Sequence, residues 1–200
     1  DEEAKLLDLC LMLHAEHGGG NNSAFATRVL TSSGTDTYSA ISAGIGSLKG
    51  PRHGGANIKV VEMLNHLKQD VSDITNEGQV ADFLKNVINR KAGDGSGLVY
   101  GMGHAVYTLS DPREKILKAE AESFAEKAGF GDEFKALSLI EELTPEIFAK
   151  EKGQNKKICA NIDLYSGLIY QMLRIPEDLY TPLFAIARVA GWSAHRIEEL

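Results

Sequence analysis

A histidine among glycines, in the run Gly101-Met-Gly-His104-Ala-Val-Tyr107, is the feature of the sequence best suited to chemistry. Glycine adopts positive φ angles and lets the backbone approach a ligand closely at little steric cost. We therefore predict that His104 lies in a tight turn beside a pocket. The alternative interpretation is an ordinary glycine-rich loop.

An arginine follows this turn at the start of a predicted helix. Asp111 and Pro112 suit the N-cap and first position of a helix that continues to about Lys127. Arg113 then lies in the first turn, where free backbone N–H groups and the helix dipole favour an anion. His104 and Arg113 facing one pocket indicate a substrate with a carbonyl and a carboxylate, unless Asp-Pro-Arg is an ordinary helix start.

Two further histidines precede three glycines near the start of the chain, in His14-Ala-Glu-His17-Gly-Gly-Gly-Asn21. The glycines are predicted to end a helix and to leave His17 and Asn21 on mobile backbone, where side chains can converge on a ligand. For His14 we expect a structural hydrogen bond at the helix end. A metal site on the two histidines is not expected, because the His-Glu-x-x-His order and a nearby third ligand are missing.

A fourth histidine lies in Gly50-Pro-Arg-His53-Gly-Gly-Ala-Asn57, just before a predicted helix. The dipole at a helix N-terminus disfavours the imidazolium. His53 is therefore expected to stay neutral and to donate a hydrogen bond. The alternative is a capping histidine in a glycine- and proline-rich turn.

A lone aspartate and a lone arginine lie in apolar surroundings nearer the end of the chain. Asp163 lies in the apolar stretch 158–167, where burial would raise the carboxyl pKa and make the carboxylate a stronger base. It also suits the N-cap of a helix that ends near Leu173. Arg188 has apolar neighbours, so it is expected to pair with a carboxylate of the protein or of a ligand.

The remaining pattern predicts helices and no convincing strand, and hence an all-α fold. The predicted helix over residues 35–48 is rich in small residues between 39 and 46, which favours close helix packing. Leucines and other apolar residues on all sides of segment 1–16 predict a fully buried helix. The predicted helices cover residues 1–16, 23–32, 35–48, a segment after Asn57 with an apolar stripe from Val60 to Leu67, 76–91, 111–127, 132–150 with a break at Thr144-Pro145, 163–173 and 176–200.

Composition narrows the class of protein. The 200 residues carry a formal net charge of −7, which argues against a surface for nucleic acid or anionic membranes. Cys10 and Cys159 lie far apart and outside any zinc or redox spacing, which favours a reducing, cytoplasmic setting. The sequence has no apolar run of membrane-spanning length. Both ends look like helix interiors, so we expect the chain to be a piece of a longer protein.

Six motifs together resemble citrate synthase, in the order that this family requires. The resemblance covers residues 14 to about 196 and corresponds to the carboxy-terminal half of that enzyme. It implies a multi-helix fold in which residues 1–50 and 161–200 are partial large-domain helices and residues 51–160 form the small domain. The motifs are His14–Asn21, Gly50–Asn57, Gly101–Tyr107, Asp111–Arg113, Asn161–Asp163 and Ala187–Trp192.

The resemblance also implies three catalytic roles. Asp163 would remove a proton from the methyl group of acetyl-CoA, while neutral His53 hydrogen-bonds the thioester carbonyl and stabilises the enol. His104 would donate to the oxaloacetate carbonyl as the carbon–carbon bond forms, and citryl-CoA is then hydrolysed. The family needs no metal and no bound redox cofactor, and it encloses its substrates by closing the small domain over the large one.

Binding roles follow from the same resemblance. Oxaloacetate would be held by His17, Asn21, Arg113 and Arg188, in which the guanidinium groups pair with carboxylates. CoA would lie along the loop from Val99 to Gly103. Its contacts would be Val99, Gly101, Gly103, Asn161 and Lys156, with Lys152 and Lys157 nearby.

Part of the family pattern is missing from these 200 residues. The amino-terminal half and a late arginine that reaches a neighbouring subunit are not in the sequence, so we expect the chain alone to be inactive and its parent to be a homodimer or larger. Two alternative functions are also compatible with the motifs: 2-methylcitrate synthase, which uses propionyl-CoA, and a helical module without activity. A metal-dependent hydrolase using His14, His17 and Asp163 is a third.

Overall fold

The computed structural model describes residues 2–50, 53–104, 107, 109–153 and 157–200. Helices dominate this part of the chain, and the only extended pairing described is an isolated antiparallel bridge between Met102 and Ala160. The predicted all-α fold is confirmed. The helices are α1 (Glu2–His14), α2 (Asn22–Ser32), α3 (Thr37–Leu48), α4 (Ala56–Asp70), α5 (Glu77–Ile88), α6 (Pro112–Ala128), α7 (Gly131–Lys152), α8 (Asp163–Met172) and α9 (Tyr180–Glu199), with a short 3₁₀ turn at Glu177–Leu179.

The chain divides into two compact units. The first contains Asp1–Ala56 and Ile175–Leu200, and the second contains Asn57–Arg174. Helix α8 belongs to the second unit because it packs against α6 and α7. These units are defined by contacts between residues, and the functional domain boundaries at 50/51 and 160/161 stay a prediction.

In the first unit, α9 packs against α1, α2 and α3 around the buried side chain of Trp192. The small residues of α3 allow this contact. A methyl group at Gly44 would lie 2.7 Å from Oγ1 of Thr27 and 3.0 Å from the Trp192 ring. The predicted close packing of this helix is therefore confirmed.

Helix α1 buries one face only. Leu6, Cys10 and His14 are buried at a spacing of four residues, whereas Met12 is 60% exposed. The prediction of a fully buried helix is wrong, because apolar composition alone does not say how many neighbours a helix has. The structural role of His14 is confirmed, since its Nδ1 donates to the carbonyl of Cys10 at 2.7 Å.

In the second unit, α7 packs against α5, α6 and α8. It runs through Pro145 without interruption, so the predicted break at Thr144-Pro145 is wrong. A proline inside a helix costs about 3 kcal/mol, mainly through a lost hydrogen bond. The buried face of α7, which includes Leu137, Ile140 and Thr144, offsets that cost through its packing.

Helix starts and ends follow the expected local chemistry. The side chain of Asp111 accepts the backbone N–H of Arg113 at 3.0 Å, and Pro112 is the first residue of α6. Asn76 caps α5 in the same way, by accepting the N–H of Gln79 at 3.1 Å. Helix α6 is followed by its C-cap Gly129, which has φ +79°. None of the described helices is both long and apolar enough to cross a membrane.

Candidate active site

His53 lies in the first unit and is held by Ser23, the second residue of α2. The backbone N–H of Ser23 donates to Nε2 of His53 at 3.2 Å, and the hydroxyl oxygen lies 2.8 Å from the same nitrogen. A backbone N–H can only donate, so Nε2 is an acceptor and the neutral ring carries its proton on Nδ1. Trp192 in turn binds Ser23, because its Nε1 donates to the Ser23 hydroxyl oxygen at 3.0 Å.

The surroundings of His53 favour the neutral ring. Burial lowers the pKa of His53, and the positive charge of Arg188 lowers it further. The sequence attributes the neutral state to a helix N-terminus, whereas burial and Arg188 are its causes in the structure. The next residue must be glycine, because a methyl group at Gly54 would lie 2.3 Å from the carbonyl oxygen of Leu48.

The turn after α1 carries His17 and Asn21. Asn21 is the N-cap of α2, where its Oδ1 accepts the N–H of Ala24 at 3.1 Å. Its amide nitrogen donates to the carbonyl of Gly18 at 2.5 Å. Both ends of the Asn21 amide therefore bind the protein, which corrects the expectation of mobile backbone at this residue. His17 is half-buried, and its backbone N–H donates to the Glu16 carboxylate at 2.6 Å.

Arg188 is buried in α9, with only 1% of its surface exposed. Its Nε donates to the carbonyl of His14 at 2.7 Å, and its guanidinium carbon lies 4.8 Å from the centre of the Phe184 ring. The guanidinium of Arg188 is therefore held by a hydrogen bond to a backbone carbonyl and by a cation–π contact with an aromatic ring. A carboxylate partner for Arg188 stays a prediction.

In the second unit, Arg113 binds Asp111. Nε and one terminal nitrogen of Arg113 donate to the two carboxylate oxygens at 3.1 and 2.7 Å. Burial raises the pKa of Asp111, but the hydrogen bonds and charge of Arg113 outweigh it and hold that pKa below its usual value. The pair fixes the direction of the guanidinium with two of its five N–H donors.

His104 is oriented by a backbone group from its own loop. The N–H of Tyr107 donates to Nδ1 of His104 at 3.0 Å, so the neutral ring carries its proton on Nε2. Burial lowers the pKa of His104, Asp111 raises it and Arg113 lowers it, with a net decrease. His104 can therefore donate a hydrogen bond from Nε2 while it remains uncharged.

Asp163 is the first residue of α8 and is half-buried. The sequence suited Asp163 to the N-cap of this helix, but in the structure the N-cap is Ile162. The side chain of Asn161 accepts the backbone N–H of Asp163 at 2.9 Å instead. The amide nitrogen of Asn161 donates to the carbonyl of Gly103 at 2.8 Å, so the start of α8 is tied to the glycine loop.

The glycine loop needs its glycines for contact with α8. Gly101 has φ +79°, and a methyl group there would lie 2.8 Å from the Cα of Leu164. The backbone N–H of Gly103 donates to the carbonyl of Cys159 at 2.7 Å, next to the bridge between Met102 and Ala160. The loop is thereby held against the segment that leads into Asp163.

A cavity of about 220 Å³ lies beside this loop in the second unit. Two of the predicted CoA contacts, Val99 and Gly103, line it, and so does Lys157. Lys152 donates from Nζ to the carbonyl of Ile88 at 2.9 Å. Lys156 lies outside the described residues. The cavity is lined by Gly97, Leu98, Val99, Met102, Gly103, His104, Thr144, Phe148, Lys157 and Ile158.

In the described part of the chain, no three histidine, cysteine, aspartate or glutamate side chains form a group that could hold a metal ion. Nδ1 of His14 is bound to its own helix. Nothing in the geometry therefore favours the metal-dependent hydrolase among the alternatives.

Sequence reasoning did not assign to any side chain the role of orienting the candidate catalytic groups. Ser23 and Trp192 support His53, and Asn161 supports the start of α8. The serine lies 30 residues from its histidine, so no local pattern connects them. The one available signal was Asn161, whose position two residues before an aspartate suits a side chain that accepts a nearby N–H.

Comparisons with known proteins identify the family of this chain. The family model "Citrate synthase, C-terminal domain" matches residues 1–200. Citrate synthase from Synechocystis is 42% identical over 197 residues, which is 98% of this chain and 45% of that protein. Citrate synthase from Haloferax volcanii is 39% identical over 98% of this chain and 46% of that protein. The chain thus spans about half the length of these curated relatives.

Solved structures show the same relationship. Citrate synthase from Thermotoga maritima superposes with a TM-score of 0.79 at 35% identity and covers 99% of this chain and 49% of that chain. A citryl-CoA lyase from Hydrogenobacter thermophilus has a TM-score of 0.73 at 27% identity and covers 100% of this chain and 70% of that chain. Fold and sequence together define an all-α protein with the citrate synthase fold. The chain belongs to the citrate synthase family.

Proposed function

We propose that the protein containing this chain condenses acetyl-CoA with oxaloacetate and water to give citrate and CoA. The observation that carries the proposal is the contact of the Ser23 backbone N–H with Nε2 of His53, a ring whose pKa is lowered by burial and by Arg188. Such a ring offers a neutral N–H donor at Nδ1. A neutral donor suits a thioester carbonyl, because it stabilises an enol without supplying a full charge.

In the first step, the carboxylate of Asp163 takes a proton from the methyl group of acetyl-CoA. Nδ1–H of His53 donates to the thioester carbonyl, which becomes the enol oxygen. The position of Asp163 at the start of α8, tied through Asn161, supports this role because it limits the motion of the base. The proposal requires both residues to bind the same acetyl group.

In the second step, the enol carbon attacks the ketone carbon of oxaloacetate, and Nε2–H of His104 donates to the ketone oxygen. The N–H of Tyr107 on Nδ1 supports this assignment, because it leaves the proton on Nε2. Arg113, Arg188 and His17 hold the oxaloacetate carboxylates. Water then hydrolyses citryl-CoA to release CoA.

For CoA we propose the cavity beside the loop from Val99 to Gly103, with Lys157 as a positive group at its edge. A bound carboxymethyl-CoA is named for the ternary complex of citrate synthase from Thermoplasma acidophilum, which has a TM-score of 0.77 to this chain at 31% identity. Asn161 contributes through the loop, since its amide already binds Gly103 and Asp163. No metal and no bound redox cofactor take part in the proposed reaction.

Assembly is part of the proposal. Exposed apolar side chains on α2, α3 and α9 of the first unit support a homodimer or a larger homo-oligomer, because burial of apolar surface stabilises association. These side chains are Phe25, Val29, Tyr38, Ile45, Ile186, Val189 and Ile197. We also propose a cytoplasmic location, and that the 200 residues alone lack activity.

The test is a thiol-release assay with acetyl-CoA and oxaloacetate on the protein expressed from its complete gene. Asp163→Asn should lower kcat by several orders of magnitude while the protein stays folded, because an amide cannot accept the methyl proton. Asp82→Asn on α5 is a matched control and should leave kcat unchanged. Wild-type activity that survives in Asp163→Asn would move the base to another residue.

Acyl specificity is tested in the same assay with propionyl-CoA. One methylene changes transition-state binding by about 1–3 kcal/mol, so either acyl group fits the motifs. A higher kcat/KM with propionyl-CoA would assign the protein as 2-methylcitrate synthase. No turnover with either substrate would support the inactive helical module.

A further inference from the structure

Helix α9 contacts three successive residues, the last residue of α1 and the first two residues of the turn that follows it. Arg188 binds the carbonyl of His14 at 2.7 Å. Gly191 donates its backbone N–H to the carbonyl of Ala15 at 3.1 Å. Positions 188, 191 and 195 lie on one face of a helix. The third of them, His195, faces the next residue of the turn, Glu16.

The approach at Gly191 is close enough to exclude any side chain. A methyl group there would lie 2.5 Å from the carbonyl oxygen of Ala15 and 2.6 Å from Oε2 of Glu16. The contact therefore fixes how α9 meets the backbone of the turn. It also brings the Glu16 carboxylate to the surface of α9, within reach of a residue one helical turn further along.

That residue is His195, whose ring lies between two carboxylates. Nε2 is 3.0 Å from Oε2 of Glu16, and Nδ1 is 2.9 Å from Oε2 of Glu198. The His195 side chain is only 14% exposed. The Nδ1 contact is a hydrogen bond to Glu198, whereas Nε2 lies at ion-pair distance from Glu16 without hydrogen-bond geometry.

The Glu16 carboxylate contacts both His195 and the backbone of His17. While Oε2 faces His195, Oε1 accepts the backbone N–H of His17 at 2.6 Å. Burial raises the pKa of Glu16, but its interaction with His195 and the backbone N–H groups of His17 and Gly18 outweigh burial, so the pKa is lowered. The carboxylate is thus the acceptor that joins α9 to the residue that carries the His17 imidazole.

We propose that His195 is a positioning residue, which acts through the Glu16 carboxylate to orient His17 for the anionic substrate. This proposal rests on the proposed function, because the role of His17 in holding oxaloacetate belongs to it. His195 touches no reacting atom. Its effect is to restrict the backbone of residues 15–17 to one conformation. The His17 ring is then already oriented when the substrate binds.

A purely structural role would have a different consequence. An ion pair that only stabilises the unit would lower the free energy of unfolding and leave the substrate constants of the folded protein unchanged. A positioning role changes the KM for oxaloacetate, because a misplaced ligand group weakens substrate binding even in a folded protein. The two roles are therefore separable by kinetics below the unfolding temperature.

The experiment compares His195→Ala and His195→Gln in the protein expressed from its complete gene. His195→Ala should raise the KM for oxaloacetate about tenfold and leave the KM for acetyl-CoA within about twofold. His195→Gln should recover most of the loss, because its carboxamide N–H can donate to the Glu16 carboxylate. Asp36→Ala is the matched control, since it removes the N-cap of α3 in the same unit.

Three results would overturn the proposal. One is an unchanged KM for oxaloacetate in His195→Ala, and a second is an equal rise in Asp36→Ala. The third comes from amide hydrogen exchange, which needs no activity: exchange at His17 should be faster in His195→Ala than in wild type, and equal rates would contradict the proposal. If the wild type turns over neither acyl-CoA while the His17 exchange does respond, the proposed function fails and the positioning contact stands.

Discussion

The side-chain oxygen of Asn161 accepts the backbone N–H of Asp163 at 2.9 Å, and the same amide donates to the carbonyl of Gly103 at 2.8 Å. One residue thus connects the proposed base to the loop that lines the 220 Å³ cavity. Because both ends of the amide are used, its loss should disturb the base and the loop together.

Asn161→Ala should therefore lower kcat by about 10- to 100-fold, through a displaced Asp163. It should also lower the free energy of unfolding by about 1–2 kcal/mol, since two partly buried hydrogen bonds are lost. Asn76→Ala, which removes the N-cap of α5 in the same unit, is the matched control. It should cost about 1 kcal/mol of stability and leave kcat unchanged. Equal loss of kcat in both variants would contradict the role given to Asn161.

The glycine loop offers a comparison between two glycines with the same backbone angle. Gly101 and Gly129 both have φ +79°, but only Gly101 faces close neighbours, since a methyl group on it would lie 2.8 Å from the Cα of Leu164. Gly101→Ala should destabilise the protein by about 3 kcal/mol and abolish most activity. Gly129→Ala should cost about 1 kcal/mol, from backbone strain alone. Thermal unfolding and the thiol-release assay measure both effects, and similar losses in the two variants would exclude the steric explanation.

Glu114 gives a prediction for alkaline pH. It is 2% exposed, and its Oε1 has no hydrogen-bond partner in the described structure. Burial and the nearby charge of Glu141 raise the pKa of Glu114 to about 7. The folded state then holds a proton that the unfolded state has released, so Glu114 makes the free energy of unfolding fall as the pH rises from about 4.5 to above 7.

Glu114→Gln should remove this loss, because an amide cannot ionise. Relative to wild type, the variant should gain on the order of 2 kcal/mol at pH 8 and little at pH 5. Urea unfolding at the two pH values measures the difference. Glu120→Gln, at an exposed position of the same helix, should show no such pH dependence. A gain that is equal at both pH values would argue for better packing instead of removal of a charge.

His53 gives the opposite dependence on pH. Burial and Arg188 lower its pKa, so below the ordinary histidine pKa of about 6.5 the unfolded state binds a proton that the folded state resists. The contribution of His53 to stability should therefore decrease as the pH falls through and below 6.5. His53→Asn should show a smaller decrease between pH 7 and pH 5 than wild type. An NMR titration that gives His53 a pKa at or above 6.5 would contradict this prediction.

The local signals in the sequence predicted the helices well. Asp111 and Pro112 begin α6 and Gly129 follows its end, because caps depend on residues within one turn of each other. Packing against neighbouring helices determined the helix boundaries that local signals did not predict. Helix α7 continues through Pro145, since the packing of its buried face, which lies before the proline, outweighs the missing hydrogen bond.

By itself, the sequence determined the all-α fold, most helix boundaries and the motifs that resemble citrate synthase, since these depend on periodicity, capping and residue identity over short distances. Only the tertiary structure decided which partners orient the candidate groups. Ser23 reaches His53 across 30 residues, and His195 reaches Glu16 from the far end of the chain. Hydrogen bonds and ion pairs act over about 3 Å, so the partners are known only once packing has brought distant segments together.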